Sequence, residues 1–478
     1  MTGPSFYSDV RIPIMKRKTL LDITLKIFTA FLLISIPLTI LAQSKKDRQK
    51  AKKLVDQAEA AFAQKNYRQA ADLYGQAIVI VPNSPNIHYR KGYAHFNLKE
   101  NDQAISEFTT ALSQGFKPPI DIYRVRAFIY YDQKNWDGAL DDVKKGLEIA
   151  PNDLQFLKGL GEIDIARNDL PGALEAFKRA AAIAPKDPDI SYNMARVYSS
   201  LGDVTAQGTA AEAALADGTR FPGEAHYLLG DAYQKQKNPA GAIDEYQKAI
   251  NSKPDIYQAY RNLTEVYRGE NRYDDAIKVS NQALLVFPGD GNINTDLSWY
   301  YSLADRPAEA VQAANKAIAA LPNEYTAYTN LCRAYNETKE YVKAITACNA
   351  ALKLRPGDGE TYFYLGRAYN LTGRTSEATQ YYGLAVKGLI EFTKANPDYS
   401  DGWYLLGNAY FADNQRDKAV DAYRQCLALS PKFTKARYNL GIIYTRKKNK
   451  AGAMEQYSAL MPLDLKLANA LKAEIDKM

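Results

Sequence analysis

Cysteine and histidine are both scarce, three of each in 478 residues. So few cysteines exclude a disulfide-built scaffold and a cysteine-rich zinc module. No H-E-x-x-H, P-loop or G-x-S-x-G pattern occurs. No catalytic constellation, metal set or cofactor motif is read from the chain. An excess of one charge is also missing: 61 basic against 54 acidic residues give +7. Residues 1–42 hold five basic and two acidic side chains, which leaves +4 for the rest. That is too near neutral for a nucleic-acid footprint, and no nucleic-acid partner is expected. Long apolar runs are absent but for one, Ile27–Ala42, which excludes a polytopic membrane protein. Hydrophobic residues at 46% and charged residues at 24% give an ordinary globular balance, which excludes disorder as the main state. What is abundant is tyrosine, 35 against 16 phenylalanines.

The one apolar run belongs to a targeting pattern. Lys16, Arg17 and Lys18 follow Met15, then comes the run to Ala42, then the polar KKDRQKAKK. A basic region, a short apolar core and a small residue describe a signal peptide. The run has 16 residues, short of the ~20 that span a bilayer. Residues 1–42 are therefore read as a signal peptide, with translation starting at Met15 and cleavage after Ala42. Residues 43–50 read as a basic linker. The mature chain is expected to be exported, most simply to a bacterial periplasm. The alternative is an uncleaved anchor facing that space, with membrane contact only through residues 27–42.

At ~100–200 residues per domain the length suggests two to four domains, but a repeat array escapes that count. Small residues recur at Ala58, Gly92, Ala127, Gly161, Ala195, Gly230, Thr264, Ser298, Cys332, Gly366, Gly407 and Gly441, spaced by 34 or 35 with one step of 41. Twelve residues after each comes a second small position, alanine in every case but Gln207. Proline closes eight of the units. Apolar residues within a unit fall at helical spacing, and a polar break such as Lys65-Asn66 splits each into two helices. Small residues let two backbones approach, and a larger side chain there would overpack by ~1–3 kcal/mol.

The pattern resembles the tetratricopeptide repeat (TPR) family. Trp403-x2-Leu406-Gly407-x2-Tyr410, Ala419-x3-Tyr423 and Pro431 follow the family motif, with Tyr for Phe. Twelve units cover residues 51–465, and residues 466–478 read as a capping helix with Leu467, Leu471 and Ile475 on one face. The resemblance implies an all-α, right-handed superhelix of antiparallel helix pairs, with more than one superhelical turn. First helices would line a concave face that docks peptides or proteins, second helices the outside.

Three places break the register. In the fifth unit Gln207-Gly208 and Ala211 replace the usual alanine and bulky residues, so helix 204–216 is expected to be the softest joint. The tenth unit carries seven extra residues before Asn396, so its second helix should protrude beyond its neighbours and either skew the stack or form part of a binding surface. Cys332 and Cys348 sit on facing helices of the ninth unit. Both occupy packing positions, where cysteine serves as a small hydrophobe. Spacing alone leaves a disulfide open.

Mapping first helices onto a concave face gives the candidate binding residues. One aromatic cluster is Tyr89, Tyr93, Phe96, Phe128 and Tyr131; a second is Phe363, Tyr404, Phe411 and Tyr438. Tyrosine offers large contact area with a polar tip. Asn193, Asn262, Asn330 and Asn439 share the sixth position of their units. In peptide-binding relatives an asparagine there contacts the main chain of an extended peptide. Arg333 and Arg367 add positive charge on the same face. The full carboxylate-clamp pattern of chaperone-binding relatives is not read in the array. The expected function is a non-enzymatic scaffold of the cell envelope that holds a protein or peptide partner. The alternative is a glycan-handling solenoid of an envelope polysaccharide export or assembly system, with tyrosine faces stacking on sugars. An enzyme would instead require a pocket with coupled titratable groups.

Overall fold

Lysine, arginine and glutamine are good helix formers, and the helical pattern begins earlier than the repeats do. The computed structural model describes residues 45–478, and the first helix there is Lys45–Ala63. Most of the expected linker 43–50 is thus the exposed start of that helix, with Asp47 in its first turn. The expected signal peptide, residues 1–42, lies outside the described residues. Among the described residues there are twenty-five α-helices, ending with Leu465–Ile475, and no strand. None of these helices is long and apolar enough to cross a membrane.

Local chemistry sets the helix ends. Asp153, Asp187, Asp290 and Asp358 cap first helices, and Asn135, Asp169, Asn238 and Asn449 cap second helices, each accepting a backbone N–H. The turn inside each pair places one residue at positive φ. That residue is Lys, Asn or Asp in ten pairs, as at Lys134 and Asn271, and glycine at Gly202 and Gly373. Glycine takes this backbone without a Cβ penalty.

Packing inside a pair centres on one contact between residues sixteen apart. A Cβ on Gly161 would sit 2.5 Å from the Phe177 ring, and one on Gly407 would sit 2.6 Å from Tyr423. Gly92 meets Phe108, Gly230 meets Tyr246 and Gly366 meets Tyr382 in the same way. A large ring on the second helix therefore requires no side chain on the first. In the last pair, Leu471 of the terminal helix lies over Gly441 instead, and Ala468, Leu471 and Ile475 are buried there.

The ninth pair fills this contact with Cys332 and Cys348, which form a disulfide with Cα atoms 5.2 Å apart. Spacing alone leaves this open, but two cysteines placed where backbones approach most closely fall within disulfide reach. Cys426 is a buried free thiol.

The chain divides into two compact units, Met1–Gly202 and Asp203–Met478. The boundary falls inside the fifth pair, ahead of helix Val204–Ala216. Gln207, in the slot that is alanine elsewhere, is fully buried in the second unit. Its Nε2 donates to the Leu228 carbonyl at 2.7 Å and to Asp231 at 2.8 Å. The lengthened helix of the tenth pair is Thr375–Ala395, 21 residues. It packs tightly along its extra turns: a Cβ on Gly388 would sit 2.5 Å from the Gly357 carbonyl oxygen. Phe392 covers Gly402 at the start of the next helix.

Candidate functional site

Within the second unit, inward faces of first helices from Arg261 to Ile442 surround a cavity of 1310 Å³. Its wall is aromatic and polar together, with Trp299, Phe363, Tyr364, Tyr404 and Phe411 beside Asn330, Asn408 and Asn439. Leu389, Phe392 and Asn396 of the lengthened helix and the turn after it complete one side.

The cavity is closed along a polar seam. Arg268, at the end of helix Tyr257–Gly269, donates to Asp401 at 2.6 Å, and both side chains are largely buried. Arg268 also pairs with Glu265 and lies 4.9 Å from the Trp299 ring centroid. Asn271 donates to the Lys432 carbonyl at 2.7 Å, and the Lys432 ammonium meets Glu270 at 2.6 Å. Lys435 donates to the Leu303 carbonyl at 3.3 Å. Pair seven therefore touches pair eleven, and pair eight touches pair twelve.

Charge in the cavity is mixed and desolvated. Burial pushes Asp296 up to about 6, with Arg261 opposing. Burial likewise raises Asp401, Glu337 and Glu360, against Arg268 in the first case and Arg333 in the other two. Burial lowers Lys435, although Glu337 favours its charged form. Arg333 is 7% exposed, pairs with Glu360 and stacks 5.0 Å from the Tyr364 ring centroid. Coupled titratable groups therefore line the cavity, but Asp296, Glu360 and Asp401 each sit against an arginine. None of the three histidines is in the wall.

Asn330, Arg333, Phe363, Arg367, Tyr404, Phe411 and Asn439 all line this cavity; Asn262 and Tyr438 do not. Several have tasks other than the expected ones. Tyr404 packs on Phe433 and Tyr423, with ring centroids 4.9 and 6.2 Å away, and Phe363 packs on Tyr364 and Tyr382. Tyr438 is half-buried against the last core cluster. The sixth-position amides bond inside the stack rather than standing free. Asn330 donates to the Thr295 carbonyl and Ser298 Oγ, Asn439 to Asn408 Oδ1, and Asn262 to the Tyr246 hydroxyl. Their donors are already engaged by a neighbouring helix, which corrects the expectation of free main-chain readers.

The first unit gives its aromatic residues a packing role. Tyr89 stacks on Phe116 at 4.2 Å, Tyr93 is buried edge-on to Phe108, and Phe96 meets Phe128 at 5.8 Å. Tyr131 packs on Trp136 and donates to Glu162 at 3.2 Å. Asn193, 2% exposed, accepts from Arg196 at 2.7 Å and reaches Glu162 only at 3.5 Å. Burial pushes Glu162 up to about 7, with Arg196 and the Tyr131 hydroxyl opposing. Sequence reasoning missed Glu162, Glu360, Asp401 and Lys435. Singly they look like ordinary solvated charges, and only the register at which they face inward marks them.

Comparison with known proteins matches this architecture. The family model described as "TPR repeat" matches residues 58–99, 161–202 and 407–448. Models described as "Tetratricopeptide repeat" match residues 85–114, 223–256 and 295–359. A TPR repeat-containing protein of Methanocaldococcus jannaschii is 26% identical over 230 residues, 44% of this chain and 39% of that one. A UDP-N-acetylglucosamine–peptide N-acetylglucosaminyltransferase of Giardia intestinalis is 31% identical over 81 residues, 17% of this chain and 6% of that one. The chain thus spans well under half the length of these relatives. A solved tetratricopeptide repeat protein from Parabacteroides merdae is 13% identical, with a TM-score of 0.38 over 53% of this chain and 98% of that one. Repeats in register from end to end, a shared small-to-large contact inside the pairs and family models matched along the length make this chain a member of the tetratricopeptide repeat family.

Proposed function

We propose that this protein is a non-enzymatic scaffold for protein–protein interaction, and that the cavity of Asp203–Met478 holds an extended segment of a protein partner. One observation carries the reading: a cavity of 1310 Å³ whose wall is aromatic, amide-bearing and charged, closed by a seam of polar contacts. Its volume exceeds the ~300–1,000 Å³ of sites for drug-sized ligands. The seam is polar and can part in water, unlike an apolar core. The rings on which a sugar would stack are largely engaged in packing, so the peptide reading is favoured over the glycan one.

The protein acts outside the cytosol in this reading. The basic and apolar pattern of residues 1–42 supports export, and the Cys332–Cys348 disulfide fits an oxidising compartment. The test places a photocrosslinking amino acid at Phe411, inside the cavity, or at Val342, 76% exposed on a second helix. In native envelopes, Phe411 is expected to crosslink to a partner polypeptide and Val342 is not. Crosslinks from Val342 alone would sink the proposal.

A further inference from the structure

We infer that the start of helix Lys45–Ala63 is a docking surface for a membrane carrying anionic phospholipid. The inference goes beyond the cavity reading and stands without it. Lys45, Lys46, Arg48, Lys50, Lys52 and Lys53 place six cations within nine residues, against Asp47 alone. All six are exposed, and burial in this helix begins only at Ala51. The six residues ahead of Ala51 extend ~9 Å at ~1.5 Å per residue. Helical spacing then sorts the charges. Asp47, Ala51, Leu54 and Ala58 share one stripe, on which Ala51 and Ala58 are buried. Lys46, Lys50 and Lys53 form a second stripe and Lys45, Arg48 and Lys52 a third, so the cations cover the side turned away from the protein.

The surroundings leave these charges unanswered. The next acids along the helix, Asp56 and Glu59, act on Arg90 instead. Helix Tyr67–Ile80 folds back along the first, so its last turn lies level with Lys50–Lys53. That turn is uncharged, and Val79 in it is 83% exposed. Cations beside an exposed aliphatic side chain suit a bilayer surface, where lysines meet headgroup phosphates and the apolar group enters the interface. A nucleic-acid backbone would use the lysines and not Val79. The basic stretch also begins three residues after the apolar run 27–42, so in the export reading it emerges at a bilayer. A second basic run, Arg446–Lys450, is exposed too but is arranged otherwise: Lys447 pairs with Asp417, and Arg446 lies over the Phe411 ring.

The test sediments the chain from Gln43 onward with vesicles of phosphatidylcholine alone or of phosphatidylcholine mixed equally with phosphatidylglycerol, in ~0.1 M salt. The chain is expected on the mixed vesicles and not on the neutral ones, and ~1 M salt should release it. Lys46→Gln/Lys50→Gln/Lys53→Gln should lower binding about a hundredfold, since each cation at such a surface is worth about fivefold. The three side chains are exposed, so this variant is expected to fold, which circular dichroism checks. Val79→Ser should also weaken binding, and Lys447→Gln/Lys448→Gln/Lys450→Gln should leave it unchanged. Equal binding to both kinds of vesicle, or binding to neither, would overturn the proposal. So would a loss seen only in the second triple variant. Tighter binding of a mixed-sequence single-stranded oligonucleotide than of the mixed vesicles would give the stretch to nucleic acid and overturn it as well. None of these outcomes bears on the cavity, which the Phe411 crosslink tests separately.

Discussion

Glu162 in the first unit and Asp401 in the second are both turned inward and buried to 7% and 6% exposure, yet they are held differently. Glu162 takes a hydrogen bond from a neutral donor, the Tyr131 hydroxyl. Asp401 takes a charged bond from Arg268 at 2.6 Å. The difference teaches what each inner face responds to. A carboxyl with a neutral donor can keep its proton near neutrality, whereas burial also raises Asp401 but Arg268 favours its charged form, so its charge depends on that arginine. The largest expected effect comes from breaking the second arrangement. Arg268→Met leaves Asp401 without its cation, and stranding one member of a buried pair costs about 3–5 kcal/mol. Hydrogen exchange should show protection of helix Ser400–Ala412 falling more than about a hundredfold. The double variant Arg268→Met/Asp401→Leu should recover much of it. Equal protection in the parent and the single variant would mean that the pair does not hold the seam.

The ninth pair carries a covalent version of inward fixing. Its disulfide closes a loop between residues 16 apart, which in the chain-entropy account is worth about 3 kcal/mol. Cys332→Ala/Cys348→Ala should therefore lower protection in helices Tyr325–Glu337 and Tyr341–Leu354 by about a hundredfold. Pairs that use glycine against a ring, such as Gly161 with Phe177, should be unaffected.

How far all this was readable varies with the range of the interaction. Helix pairs, their number and their capping end were legible, because a 34-residue period repeats the same small, aromatic and proline positions. The disulfide was half legible: Cys332 and Cys348 stand in the register at which Gly366 meets Tyr382, but the approach of the backbones had to be seen. The asparagines misled because a sixth-position amide can face solvent or reach back to the preceding pair, and neither choice leaves a mark in the sequence. The seam was not legible at all. Arg268 and Asp401 are 133 residues apart, and their meeting depends on small rotations summed over four pairs.

The first unit offers the next test, now through pH. Burial lifts Glu162 from 4.5 to about 7, so the folded chain holds this proton to higher pH than the unfolded chain does. The stability contributed by that proton is full below pH 4.5 and is lost as pH rises through 7. A lift of this size corresponds to about 3 kcal/mol at most. Glu162→Gln, which cannot ionise, should match the parent at pH 4.5 and exceed it in the first unit's stability above pH 7. Carbon-13 labelling of glutamate should show the Glu162 carboxyl titrating near 7. A midpoint near 4.5 would remove the contrast with Asp401.

The smallest effects are expected at the rim of the seam, where the same kinds of charge meet in water. Lys466 and Asp305 lie 3.3 Å apart, but each side chain is 85% exposed, and such pairs are worth ~0–1 kcal/mol. Lys432 and Glu270 are half covered, at 53% and 26% exposure, and the Lys432 carbonyl is also held by Asn271. Lys466→Gln should leave protection at the seam unchanged. Lys432→Gln should lower it by less than about tenfold and lose that effect in high salt, because exposed charges are screened within a few ångströms at ~1 M. Salt should leave the Arg268–Asp401 contact largely intact, since burial shields it from screening. A seam that opened fully in salt alone would place its strength in the exposed lysines, and the ordering from buried arginine to surface lysine would be reversed.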